Sequence, residues 1–217
     1  MNIEQARFNM VEQQIRPWNV LDLSVLELLS VVKRETFVPA AVKSLAFADM
    51  EIPLGFGQCM LAPRLEARLL QDLALQPHET VLEVGAGSGY MTALIAHKAH
   101  RVMSLEIVPQ LVTLASNNLR QAGIRNAEVR QGDGAASSAA EGTYDVIVLS
   151  GSVADVPQSL LALLKVGGRL AAVTGDEPVM RATFVTRNSA TDFRTTQPWD
   201  CDAPRLQNFA EHSKFQF

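Results

Sequence analysis

The chain has 217 residues, 47% of them hydrophobic and 19% charged, with a formal net charge of −4. That composition fits one globular unit with a substantial core, or a core plus an extension. The longest basic run is Lys33-Arg34, so the basic stripe expected of a nucleic-acid-binding protein is missing. The opening MNIEQARFNMVEQQ contains no apolar stretch of signal-peptide length, and no apolar run reaches the ~20 residues that span a bilayer. A cytoplasmic protein is the expectation, and Cys59 and Cys201 suit a reducing compartment. His97 and His100 stand close together in HKAH, but no carboxylate or cysteine joins them to complete a metal-ligand set.

In chain order, residues 3–16 place Ile3, Met10, Val11 and Ile15 near one helical face, and Pro17 stops that helix. Asp22 is the expected N-cap of a second helix, LSVLELLSVVKRE, with Leu26, Leu29 and Val32 on its apolar stripe. A short helix is expected at AAVKSLAF, after Pro39, so the first 50 residues read as a helical cap. Pro63 suits the first turn of a helix over 63–75, whose Leu65, Leu69 and Leu73 recur every four residues.

Beyond this point the period changes. Strands are expected at 81–85, 101–106, 127–131, 144–151 and 167–175. Helices fall between them at GYMTALIAHK, at 108–122 (closed by Gly123) and at VPQSLLALL. FVTRNS (184–189) and FRTTQPW (193–199) read as a terminal antiparallel pair, and GDGAASSAAEGT (132–143) as a loop. Strands alternating with helices imply an α/β fold: a Rossmann-like, doubly wound, mostly parallel seven-stranded sheet with helices on both faces and the N-terminal helical cap.

Three features of that sheet carry chemistry. Gly85, Gly87 and Gly89 form a G-x-G-x-G turn between a strand and a helix, where backbone can approach a ligand closely and N–H groups are free. The spacing is not the G-x-G-x-x-G of dinucleotide sites, which disfavours a nicotinamide oxidoreductase. Glu106 ends the next strand, where a carboxylate can accept from ribose hydroxyls. Asp133, in Gln131-Gly132-Asp133-Gly134, would stand beside the same crevice and could receive an adenine amino group. Each alone also suits a structural turn or an exposed acid; together they favour an adenosine ligand without a long phosphate chain.

VLEVGAGSGY, Glu106 and the GDG at 132–134 resemble the class I S-adenosylmethionine-dependent methyltransferases. FVP at 37–39, AFADMEIPLGFGQ at 46–58 and Ala62-Pro63 before a helix narrow the resemblance to the protein-L-isoaspartate O-methyltransferases, over about residues 8–175. The resemblance implies S-adenosyl-L-methionine as cofactor. Glu83, Gly85, Gly87, Ser88 and Gly89 would hold its methionine part, Glu106 the ribose, and Asp133 and Gly134 the adenine side, with Ile107 a further cofactor-binding position. It also implies methyl transfer to an isoaspartyl carboxylate in damaged protein, by a monomer or homodimer with no membrane partner. Residues 1–62 would be cap and substrate loop, and 63–217 the cofactor-binding core.

The loop at 55–63 departs from the family's hydroxyl-bearing pattern, in the manner of GQTIS: here stand Gln58, Cys59, Met60 and Leu61. Gln58, Cys59 and Leu61 are the candidate catalytic positions. A carboxylate acceptor needs no general base, because its free pKa is near ~4, so lost hydroxyls affect substrate binding first. Two other readings stay open: a methyltransferase with a small-molecule acceptor, and a cofactor-binding protein without catalysis. Cys59 reads as a packed or lining thiol rather than a nucleophile. Met60 and Leu61 read either as core or as lining, and Trp18 and Trp199 as core residues rather than walls of an acceptor pocket.

Overall fold

The computed structural model describes residues 2–137 and 142–213. Helix α1 (Ile3–Asn9) continues into a π-helical stretch, Met10–Ile15, and a 3-10 turn, Arg16–Trp18. The single helix expected over 3–16 therefore changes its hydrogen-bond period. Met10 and Ile15, both fully buried, are spaced by the π repeat, which turns both inward. Asp22 caps α2 (Leu23–Val31), its Oδ1 accepting from the Ser24 N–H at 2.8 Å. The expected helix at AAVKSLAF is a 3-10 segment, Ala40–Leu45, kinked at Val42.

A hairpin follows where only a loop is legible: β1 (Ile52–Gly55) pairs antiparallel with β2 (Gln58–Met60). Then come α3 (Pro63–Leu73), β3 (Thr80–Val84), α4 (Tyr90–Lys98), β4 (Arg101–Glu106), α5 (Pro109–Gln121) and β5 (Ala127–Gln131). After a short 3-10 turn at Gly134–Ala136 the loop expected over 132–143 passes through 138–141, outside the described residues. The chain then gives β6 (Tyr144–Val153), α6 (Gln158–Leu161), β7 (Leu164–Asp176), β8 (Val179–Arg187) and β9 (Phe193–Asp200). The helix at VPQSLLALL is one turn, because Leu164 already belongs to a strand, and β8 begins five residues before the expected 184.

The main sheet has seven strands in the order β5-β4-β3-β6-β7-β8-β9. Its pairs are parallel from β5 to β7 and antiparallel from β7 to β9. Strand alternation sorts the core onto two faces. Val81, Val102, Val146 and Val148 face the cap and α3 to α5, while Leu82, Met103, Ile147 and Leu149 face α6 and the C-terminal segment. From β3 the chain winds outward to β5, then returns to place β6 on β3's other side. That reversal opens a crevice at the carboxyl ends of β3 and β6, the place where doubly wound sheets bind ligands.

Candidate active site

The glycine turn leaves β3 with Gly85, Gly87 and Gly89 at φ of +94°, +54° and +84°, which L-residues with a Cβ rarely adopt. Gly87 is also confined by the hairpin: a Cβ there would stand 3.3 Å from Leu54 Cδ1. The hairpin β1–β2 thus lies on the glycine turn. At Gly134 a Cβ would overlap Val84 Cγ1, so glycine alone lets the GDG turn close against β3.

Glu106 is 4% exposed and holds this region together. Its carboxylate accepts from the Gly87 N–H at 2.8 Å and the Val108 N–H at 2.9 Å. The acid predicted at the end of the second strand therefore reaches the glycine turn that leaves the neighbouring strand β3. Asp133 Oδ1 accepts from the Ala135 N–H at 2.9 Å, and its Oδ2 accepts from Asn208 Nδ2 at 2.8 Å. Gln58, Gly85, Glu106, Ile107, Asp133 and Gly134 line one cavity.

Six of the predicted residues do not line that cavity: Gly87, Ser88 (buried, its carbonyl accepting from Asn118 Nδ2 at 2.9 Å) and Gly89 stand within the glycine turn, and Glu83, Cys59 and Leu61 lie elsewhere. Glu83 is fully buried beneath the turn, its oxygens accepting from the hydroxyls of Thr92, Ser104 and Ser150. Burial raises its pKa, against those hydrogen bonds. Leu61 is 5% exposed and Met60 3%, so both belong to the core. Cys59 is half-buried and its Sγ faces Glu51 Oε2 at 3.6 Å. Burial, then the Glu51 charge, pushes the Cys59 thiol up to about 12, and burial, then Asp202, does the same to Cys201. We expect both thiols to react with iodoacetamide at pH 8 at least ~100-fold more slowly than a free cysteine of pKa ~8.5. Mass spectrometry of timed quenches measures this; alkylation of Cys59 at the free rate would restore the nucleophile reading.

Sequence reasoning missed the C-terminal segment. After β9 the chain returns across the crevice. Ser152 N–H donates to the Pro204 carbonyl at 2.7 Å, and Leu206 N–H to the Ser152 carbonyl at 2.9 Å. Leu206 Cδ2 lies 3.1 Å from a Cβ position on Gly85, and Leu206 with Phe209 narrows the crevice to about 30 Å³. Arg205 pairs with Asp176 and Glu211, and His212 bridges Asp155 and Asp176. Leu206 and Phe209, two large apolar side chains in a mostly polar stretch, were the signal of this return.

A second missed residue is Arg34, fully buried. Its guanidinium pairs with Glu66 of α3, donates to the Leu61 carbonyl at 2.7 Å and covers the Tyr90 ring at 4.9 Å. One side chain thus ties the cap to the hairpin's exit, α3 and the start of α4.

Glycine turn, strand-end carboxylate and switch-point crevice on this sheet define a methyltransferase fold of the Rossmann-like class. A solved putative protein-L-isoaspartate O-methyltransferase from Plasmodium falciparum, in complex with S-adenosyl-L-homocysteine, superposes with a TM-score of 0.81 at 21% identity, covering 93% of this chain and 98% of that one. A family model described as protein-L-isoaspartate(D-aspartate) O-methyltransferase matches residues 5–197. Protein-L-isoaspartate O-methyltransferase 1 of Rhodopseudomonas palustris (strain HaA2) is 39% identical over 192 residues, covering 88% of this chain and 78% of that protein. Its namesake from Syntrophobacter fumaroxidans is 39% identical over 185 residues, covering 85% and 86%. The chain belongs to the protein-L-isoaspartate(D-aspartate) O-methyltransferase family. No helix among the described residues is long and apolar enough to cross a membrane.

Proposed function

We propose that this chain is an S-adenosylmethionine-dependent methyltransferase that esterifies isoaspartyl carboxylates in polypeptides. The observation that carries the reading is the hairpin seated on the glycine turn, which sets the loop of Gln58 directly over the crevice. The donor set fits the cofactor. Glu106 offers a buried carboxylate for ribose, Asp133 and Gly134 edge the adenine side, and Gly85, Gly87, Ser88 and Gly89 form the close-approach turn. Glu83 supports that turn from below. When bound, the cofactor supplies a methyl group already activated by a sulfonium.

The rest is positioning. An isoaspartyl carboxylate is ionised at neutral pH, its free pKa being near ~4, so no side chain has to take a proton. Holding it in line can contribute roughly 7–11 kcal/mol. Gln58 is the hairpin residue that lines the crevice, and we assign its side-chain amide as the donor that orients the acceptor. The test uses labelled cofactor with an isoaspartyl peptide and its normal aspartyl twin. Base-labile label on the first alone supports the reading. Cofactor binding without label on either peptide contradicts it.

Small-molecule sites occupy roughly 300–1,000 Å³, so a cavity of about 30 Å³ has to widen before a nucleoside is held, and Leu206 is the side chain in the way. Leu206→Ala should tighten S-adenosylhomocysteine binding by about 3- to 10-fold in calorimetry, the gain being apolar contact no longer lost on opening. Unchanged or weaker affinity would show that Leu206 stays in place and contributes to the site.

Leu61→Ser, the change that restores the family's hydroxyl, should cost ~2–4 kcal/mol of stability by opening a core cavity. It should also gain no activity on isoaspartyl peptide, since Leu61 packs inward. Urea unfolding and the peptide assay check both halves. A gain in turnover would show that this side chain reaches the acceptor.

A further inference from the structure

A cavity of about 710 Å³ opens beside the hairpin at the carboxyl edge of the sheet. The hairpin separates it from the crevice: Gln58 lines the crevice, whereas Glu51 and Ala62, at the hairpin's two ends, line the cavity. The chain itself measures the gap. Asp202 lines the cavity and Leu206 the crevice. Four residues of extended chain span at most ~14 Å. A polypeptide whose acceptor residue sits at the crevice therefore reaches the cavity within a few residues.

The walls are built rather than incidental. Both tryptophans of the chain stand here, and Trp18 remains 52% exposed despite its size. Arg64 lies 4.2 Å over the Trp18 ring and pairs with Asp49 at 3.1 Å. Arg68 lies 5.0 Å from the Trp199 ring, donates to the Trp18 carbonyl at 2.8 Å and pairs with Asp72. Trp199 Nε1 donates to the same Asp72 at 2.7 Å. Each wall cation is thus matched by a carboxylate. At the rim Asp200 pairs with Arg181, but Glu51 and Asp202 have no basic partner among the described residues. An aromatic-walled cavity with two unmatched carboxylates suits an apolar stem carrying a cation.

Resting on the proposed function, we infer that this cavity takes the chain flanking the methyl-accepting residue and selects substrates with lysine or arginine a few residues from it. Because the two tryptophans of the chain both line the cavity, intrinsic fluorescence reports its occupancy. The test uses two isoaspartyl peptides differing only in a Lys-Lys or Glu-Glu pair placed within four residues of the acceptor.

The Lys peptide should bind and turn over about tenfold better in Kd and kcat/KM, the effect expected of two partly exposed ion pairs, and the preference should shrink with salt. The double variant Glu51→Gln/Asp202→Asn should cut that preference to about threefold or less, with its thermal midpoint as the check on folding. Equal binding and turnover of the two peptides, or a preference unchanged in the double variant, overturns the inference while leaving the proposed function standing. Lys-selective binding with no methyl transfer to either peptide supports the cavity assignment and contradicts the proposed function.

Discussion

Glu106→Ala should weaken S-adenosylhomocysteine binding by about 10²- to 10⁴-fold, the loss expected from two hydrogen bonds to a charged acceptor at roughly 1.5–3 kcal/mol each. The carboxylate has two duties. It would receive the ribose hydroxyls, and it already fixes the glycine turn through the Gly87 and Val108 N–H groups. Removing it leaves those donors short of a partner, so the variant should also lose ~1–3 kcal/mol of stability. Glu106→Gln keeps an acceptor oxygen but not the charge and should fall between, at about tenfold weaker binding. Calorimetry on the three proteins separates the duties. Wild-type affinity in the alanine variant would move the nucleoside away from this carboxylate.

The second large effect is on folding. Arg34→Met should destabilise the protein by ~3–5 kcal/mol, because it leaves Glu66 buried without its cation. Burial raises the Glu66 pKa from 4.5 to about 7, against the pull of Arg34. The sign of the pH effect follows. A carboxyl whose folded pKa lies above its unfolded one contributes stability fully below pH 4.5, and that stability is lost as pH rises through the folded value, near 7 here. Without Arg34 the folded pKa moves higher still, so the loss continues to higher pH, and Arg34→Met should be penalised more at pH 8 than at pH 5.

Replacing both partners, as Arg34→Met/Glu66→Leu, should recover most of the stability, since apolar substitutes for a buried pair are often neutral or better. Urea denaturation at the two pH values measures all of this. A double variant as unstable as the single one would show that the arginine's bond to the Leu61 carbonyl and its place over Tyr90 matter more than the ion pair.

How much of this was legible in the sequence depends on the range of each interaction. The central strands were readable because buried parallel strands are apolar runs ended by turns, as in VLEVG and YDVIVLSG, and the terminal antiparallel pair through its β-branched and aromatic residues. The glycine turn was readable because its conformation restricts residue type, and Glu106 because its place follows from strand length. The hairpin was not, since strands as short as Gln58–Met60 give no alternation to detect. Trp18 and Trp199 read as core residues, yet the fold brings them together at a cavity wall; their partners Arg64 and Arg68 come from a helix distant in sequence from both.

Glu83 carries an acid that a motif assigns to the ligand, and only the three hydroxyls around it show it turned inward. Arg34 stood out in the sequence only as half of the longest basic run, because a buried cation is recognisable only through a counter-charge that folding supplies. The tail from Ala203 to Phe209 has no periodicity, and its return over the crevice is fixed by two backbone hydrogen bonds to Ser152.

A crystal structure of the protein with S-adenosylhomocysteine tests the central claim most directly. The account predicts ribose hydroxyls on the Glu106 carboxylate, the adenine amino group at Asp133 and Leu206 displaced from Gly85. The severed sulfur should face the hairpin at Gln58. A nucleoside bound elsewhere, or in the crevice with Glu106 still turned wholly to its own backbone, would contradict it.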